Sequence, residues 1–314
     1  MGDFVARSGE TLEIYIGMKK ILKPVKQWLF QQRYNIAFLD NSLDEIMDGA
    51  SLNIKPMKHQ YRDRWFADPF IISADDREID LLVEEKYYPI QRGRIARLTV
   101  DRRSYELIRN ETILQLDTHL SFPAIMREGK YLWIYPESIE SDHLMAYKLN
   151  VRTNQIEEKK TLVEHPLADA VIFKEDGVSY LFATTPPHVN GKELKIYTIG
   201  IDGFYSHHQT IFFNENTARS AGDFFEYGGG IFRVAQICNK RYGEAVIIQK
   251  ATYDGYWRFE EVRRLYSDVK YWNLGLHTFN VKDGCVVCDL KGYRHSRIAC
   301  VLIKIISVVR MLKH

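Results

Sequence analysis

From about residue 65 to residue 290 the chain alternates short apolar runs with polar turns, and the runs come in pairs. ADPFIISADDREIDLLVEE from Ala67 is followed by SFPAIMREGKYLWIYPES from Ser121, ADAVIFKEDGVSYLFATT from Ala168, SAGDFFEYGGGIFRVAQ from Ser220 and LHTFNVKDGCVVCDL from Leu276. Each segment is an apolar strand, a polar turn that usually holds glycine, and a second apolar or aromatic strand, which is the pattern of a hairpin. Aligned on their first strands, the copies put Asp68, Phe122, Asp169, Ala221 and His277 at one equivalent position, roughly 50 residues apart. Hairpins repeated at that period predict propeller blades, each a small antiparallel sheet around a common axis. The expected fold is all-β, a five-bladed β-propeller. GRIARLTVD from Gly93, HLMAYKLNV from His143, LKIYTIGI from Leu194 and EAVIIQKAT from Glu244 supply outer strands. No linker rich in Pro, Gly or Ser interrupts the repeats, so residues 56 to 297 are expected to form one domain. The glycines at 228 to 230 fall in the fourth hairpin turn, without the spacing of a phosphate loop.

The pattern changes at both ends. MKKILKPVKQWLFQQ from Met18 places Ile21, Leu22, Val25, Trp28 and Leu29 at helical spacing with lysines largely between them. A basic amphipathic helix is expected there, within an extension of residues 1 to 55. ACVLIKIISVVRMLKH, in a tail of residues 298 to 314, is apolar but carries Lys304, Arg310 and Lys313. It is too short and too charged for a confident membrane span. Two readings stay open: the ends lie in the headgroup layer of an anionic membrane, or they pack on the main domain. Met18 as well as Met1 suits a physiological start. No secretory signal is visible, which points to a cytoplasmic protein, peripheral on the inner membrane face in the first reading.

Composition narrows the chemistry. A net charge of +2 argues against a dedicated nucleic-acid binder, which would gather a larger basic excess. An aromatic fraction of 13% suits sheets and carbohydrate sites alike. Of the four cysteines, Cys285 and Cys288 form a CxxC inside an apolar strand, where residues three apart face opposite sides. Buried free thiols in a reducing cytosol are the expectation, and neither a metal site nor a cofactor is assigned.

In a propeller the innermost strands line the axial channel, so Asp68 and Asp169 are expected to converge there. Gathered carboxylates repel and separate their pKa values, which makes one a base and another an acid. Glu85, Glu137, His119, Arg219 and His277 fall nearby in their repeats. Each also has a plain structural reading: Asp68 as a turn acceptor, Glu85 and Glu137 as solvated strand ends, the histidines as bonded core groups, Arg219 as a bridge between blades.

WFADPFI, VEEKYY with GRIA, HLSFPAI, YLWIYPES, ADAVIF, ARSAGDFF and AQICNKRYG together resemble the five-bladed domain of glucosamine inositolphosphorylceramide transferases and of bacterial relatives from surface-polysaccharide pathways. The resemblance runs from Trp65 to Tyr293. The architecture is more distantly similar to the furanosidase clan, in which a first-blade aspartate is base or nucleophile. The resemblance implies catalytic roles for Asp68, Asp169 and Glu137. It implies substrate contacts for Arg219 and for Arg241 and Tyr242 of RYG. It also implies a glycosyltransferase that moves a sugar, furanosyl or phosphofuranosyl among the options, from a phosphate-activated donor to a lipid-linked glycan. Asp68 would then deprotonate the acceptor, and Arg219, Arg241 and Arg94 would hold the donor phosphate. Phe122 stands where a hydrolase would often offer another aspartate, so the hydrolase trio is incomplete and its acid unassigned. Glycoside hydrolysis or transglycosylation, and noncatalytic glycan binding, remain the alternatives.

Overall fold

The computed structural model describes residues 30 to 129, 131 to 200, 203 to 298 and 301. The chain begins with β1 (Gln32–Leu39) and, after a single helical turn α1 (Leu43–Met47) capped by Ser42 and Glu45, β2 (Ile54–Pro56). Four antiparallel sheets follow in sequence order. They are β3 (Arg64–Ala74) with β4 (Glu78–Tyr87), β5 (Arg92–Asp101) and β6 (Leu107–Leu114); then β7 (Ser121–Glu128), β8 (Tyr131–Glu137), β9 (Leu144–Asn150) and β10 (Gln155–Val163). The third is β11 (Ala168–Glu175), β12 (Val178–Thr184), β13 (Glu193–Ile199) and β14 (Tyr205–Phe212). The fourth is β15 (Phe225–Tyr227), β16 (Gly230–Ile237), β17 (Ala245–Tyr253) and β18 (Trp257–Leu265). The last hairpin, β19 (Phe279–Lys282) and β20 (Cys285–Tyr293), completes a fifth sheet of order β19-β20-β1-β2. The fold is the five-bladed β-propeller expected from the repeats.

Closure of the ring explains one difference from the sequence reading. β20 pairs with β1 from Gln32↔Tyr293 to Phe38↔Val287, so the fifth blade takes its outer strands from the start of the chain. The boundary expected at residue 56 therefore falls inside a blade: residues 32 to 39 and 54 to 56 belong to it. A repeat search anchored on inner strands finds no inner strand in this segment, although Ile36, Ala37 and Phe38 are fully buried. The helix expected from Met18 and nearly all of the tail lie outside the described residues. Among the described residues no helix is long and apolar enough to cross a membrane.

Apolar side chains fill the wedges between blades. Phe70 and Leu82 of the first blade pack with Phe122, Ile134 and Tyr135 of the second, and Phe182 of the third meets Trp257 of the fourth. Each such burial stabilises by about 1.5–3 kcal/mol before conformational entropy is subtracted. Cys285 joins the wedge with Phe38 and Met57, whereas Cys288 joins the one with Ala37 and Leu290. The two thiols thus sit on opposite faces of β20, buried and free, as the alternation predicted.

Three inner strands share one irregularity. β3, β7 and β11 each bulge between Ala67 and Phe70, Ser121 and Ala124, and Ala168 and Val171. Asp68, Phe122 and Asp169 adopt φ of 51°, 44° and 43° at these bulges. Asp tolerates the left-handed region through local hydrogen bonding, whereas Phe gains no such help. The shared bulge supports aligning these three positions.

Candidate active site

Every bulge leaves a backbone N–H in need of an acceptor, and a carboxyl of the preceding blade supplies it. The Asp68 N–H donates to Asp289 Oδ2, the Phe122 N–H to Asp68 Oδ2 and the Asp169 N–H to Glu137 Oε2, each at 3.0 Å. Acidic side chains are laced from blade to blade around the channel mouth. Asp68 does act as a turn acceptor, but only through one of its oxygens.

The other oxygen faces a histidine. Asp68 Oδ1 lies 3.3 Å from His277 Nε2, while His277 Nδ1 is 2.7 Å from Asp289 Oδ1. Asp289 accepts further bonds from the backbone N–H groups of His277, Thr278 and Asp68. Burial favours its neutral form, but the His277 charge and these donors outweigh it and hold its carboxyl below the usual range. Asp289 is the fixed anion, so Nδ1 carries a proton toward it. Burial pushes Asp68 well up, with the charges of Glu84, Asp289 and Asp169 adding to it and His277 opposing. His277 is also raised: burial disfavours its cation, and Asp289 and Asp68 more than compensate. Asp68 Oδ1 and His277 Nε2 therefore face each other with the proton affinity of both groups raised.

Across the mouth a second trio forms. Arg219 grips Asp169 with Nε at 2.6 Å and Nη2 at 3.2 Å, reaches Glu137 Oε2 at 2.8 Å, and spends Nη1 on Asn190 at 2.9 Å. Gln236 adds a bond of 2.6 Å to Asp169 Oδ2. Burial raises Glu137 well above a normal glutamate, Arg219 opposes, and Asp169 adds both its charge and a hydrogen bond. Glu137 and Asp169 thus face a single guanidinium between them. The Tyr242 ring joins the trios, 5.1 Å from the Arg219 guanidinium on its face and edge-on to His277 at 5.3 Å. Gly243 makes that approach possible: at φ 59° a Cβ there would lie 2.4 Å from His277 Cβ.

The family described as glucosamine inositolphosphorylceramide transferase 1, N-terminal, matches residues 15–280. The chain belongs to that family. Transferase 1 of Oryza sativa subsp. indica is 27% identical over 205 residues, covering 62% of this chain and 27% of the relative. The Arabidopsis thaliana protein is 25% identical over 179 residues, covering 52% and 23%. The match thus spans about a quarter of these curated relatives. Among solved structures, a β-xylosidase/α-arabinofuranosidase from a compost microbial metagenome superposes with a TM-score of 0.50 at 10% identity, over 76% of this chain and 93% of that one. That likeness is one of fold.

In this member of the transferase 1 N-terminal family the other expected site residues divide. Glu85 is fully buried and bonded to Arg64 at 2.8 Å, Arg94 at 2.5 Å and Asn110 at 2.6 Å, a lock across the first blade. Arg94 is committed to it. Glu84, one residue earlier, is the glutamate turned toward Asp68, and it is 3.2 Å from His119 Nε2. The Gly93 N–H donates to His119 Nδ1 at 2.8 Å, which leaves Nε2 to carry the proton toward Glu84. A Cβ at Gly93 would lie 2.7 Å from both partners. Arg241 is exposed at the rim, close enough to act on the charge of Lys291. Sequence reasoning missed Glu84, Asp289, Gln236 and Lys291. Register carried a signal for one of them: Glu84 pairs with Ala67 as Glu137 pairs with Ser121.

Proposed function

We propose that this propeller is a glycosyltransferase domain that moves a sugar from a phosphate-activated donor to a hydroxyl of a lipid-linked glycan. The observation that carries the proposal is the chain of contacts from Asp68 through His277 to the fixed anion Asp289, 3.3 Å and 2.7 Å long. A carboxylate whose proton affinity is raised by burial can accept the acceptor's hydroxyl proton as the new glycosidic bond forms, and His277 helps to bear it. Bond-making and loss of the phosphate leaving group balance without further reactants: the acceptor oxygen attacks the anomeric carbon, its proton passes to Asp68, and the phosphate departs with the bonding pair. Membership of a family named for a transferase supports this reading, and the lysine-rich apolar segment from Met18 supports an acceptor at a membrane surface.

Glycoside hydrolysis is the second reading, favoured by Glu137. A raised glutamate opposite a base is the acid–base arrangement that hydrolysis needs. A screen of the purified protein against sugar phosphates, nucleotide sugars and simple glycosides, read by thermal shift and mass spectrometry, separates the two. Stabilisation by an activated donor with product formation is expected; cleavage of a simple glycoside alone would replace transfer with hydrolysis. Asp68→Asn is expected to lower turnover at least about 100-fold while shifting the melting temperature by only a few degrees. Full activity in that variant would make Asp68 a bulge acceptor and nothing more.

A further inference from the structure

The donor phosphate, on the reading above, needs cations, and Arg219 is not free to supply them. All three of its nitrogens already donate to Asp169, Glu137 and Asn190. The unspent positive charge lies one step further up the mouth. Lys291 is buried, yet among the described residues no carboxylate lies within ion-pair distance of its ammonium. Its one hydrogen bond runs 3.3 Å to the Tyr242 carbonyl, which leaves two N–H groups. The rings of Tyr34 and Tyr242 flank the ammonium at 5.4 Å and 5.3 Å and fix its position without neutralising it. Buried charges are ordinarily paired, so a buried ammonium held this way is short of an anion.

Position says which anion. Lys291 lies two residues beyond Asp289 on β20, so both side chains leave the same face of the strand, about 7 Å apart. Asp289 anchors His277 and Asp68, and a group held at Lys291 therefore sits about one sugar ring above the proton-accepting pair. Arg241, exposed and near enough to depress the Lys291 charge, adds a second cation with a fork suited to phosphate oxygens.

We propose that Lys291 and Arg241, with the Tyr34 and Tyr242 rings as walls, form an anion subsite that takes the phosphate or pyrophosphate group of a substrate. The Coulomb repulsion between the two cations is relieved when a dianion enters. A soluble activated sugar and a phosphate-bearing lipid acceptor present the same chemistry to this site.

The test is titration calorimetry of the full chain with inorganic pyrophosphate. Binding is expected, weakened at least ten-fold by Lys291→Gln and several-fold by Arg241→Ala. Asp68→Asn is expected to bind pyrophosphate as the parent does, because it lies below the subsite. Arg241 is exposed, so its substitution keeps the test valid if Lys291→Gln fails to fold. UDP and a water-soluble polyprenyl phosphate are then added as competitors. Displacement by either supports the subsite and identifies the source of its phosphate. No pyrophosphate binding, equal binding in both cation variants, or displacement by neither competitor overturns it. If Asp68→Asn proves fully active in transfer, the catalytic reading falls while the pyrophosphate titration still judges the subsite.

Discussion

Replacing Arg219 by methionine tests whether this arginine is a structural counter-ion or a ligand clamp. Methionine keeps most of the aliphatic stem and removes four hydrogen bonds, of which three go to the carboxyls of Asp169 and Glu137. Removing one partner of a buried ion pair costs about 3–5 kcal/mol, because the other charge stays buried. For a chain of this size about 2 °C is lost per kcal/mol, so the melting temperature is expected to fall by about 6–10 °C. The loss must depend on pH with a definite sign. Arg219 opposes the rise of Glu137, so without it that carboxyl titrates higher still in the folded protein. A folded pKa above the unfolded value stabilises at low pH, and that contribution is lost as pH rises through the folded pKa. The variant's deficit is therefore expected to be largest at pH 8 and smaller at pH 5 by about 1 kcal/mol or more, one pKa unit being worth about 1.4 kcal/mol. Urea unfolding at both pH values, followed by circular dichroism, measures it. A deficit below about 1 kcal/mol at pH 8, or one that grows on acidification, would refute the counter-ion assignment and return Arg219 to the role of phosphate clamp.

Two further expectations concern the scaffold. Gly243→Ala forces a Cβ against His277 at a positive φ; a loss of about 2–4 kcal/mol in thermal melts and a displaced His277 are expected, and an unchanged melt would show that the loop yields freely. Asp223, in a cavity it shares with Ile71, Arg127 and Asn280, is pushed up to about 7 by burial, against Arg127 and Lys282. Its raised folded pKa stabilises below about pH 4 and costs progressively up to pH 7, so Asp223→Asn is expected to gain about 1–2 kcal/mol at pH 8, discounted for partial solvent contact, and almost nothing at pH 4. Lower stability of this variant at pH 8 would mean that pairing with Arg127 and Lys282 outweighs burial.

The blades were legible because a hairpin writes itself locally: alternation, a glycine turn and alternation again need no distant partner. β1 and β2 were not, since β2 pairs only with β1, and the other partner of β1, β20, lies about 250 residues away where nothing in a linear repeat points to it. Within the site, Asp68, Asp169 and His277 followed from repeat alignment, and the structure brings them to one mouth. Glu85 shows the limit of that method. Side chains on a strand alternate, so a reading displaced by one residue selects the opposite face, and Glu84 takes the place facing Asp68. Asp289 and Lys291 sit on the second strand of the last hairpin, where an aspartate and a lysine in an apolar run carry no signal until His277 and Tyr242 are folded onto them. The saturation of Arg219 was equally hidden, because its three partners, Glu137, Asp169 and Asn190, come from two other blades.

The closure that joins β1 to β20 also brings the two ends of the described fold together. Gln31 accepts a bond from the Arg294 N–H at 2.7 Å, so the two ends of the described fold leave it side by side. They leave beyond Tyr34 and Lys291, on the rim where the channel opens toward His277. A tether attached through either flanking segment would therefore act like a hinge beside a door: whatever it holds, the opening is turned toward the same object. An acceptor anchored in that object would have only a short distance to travel.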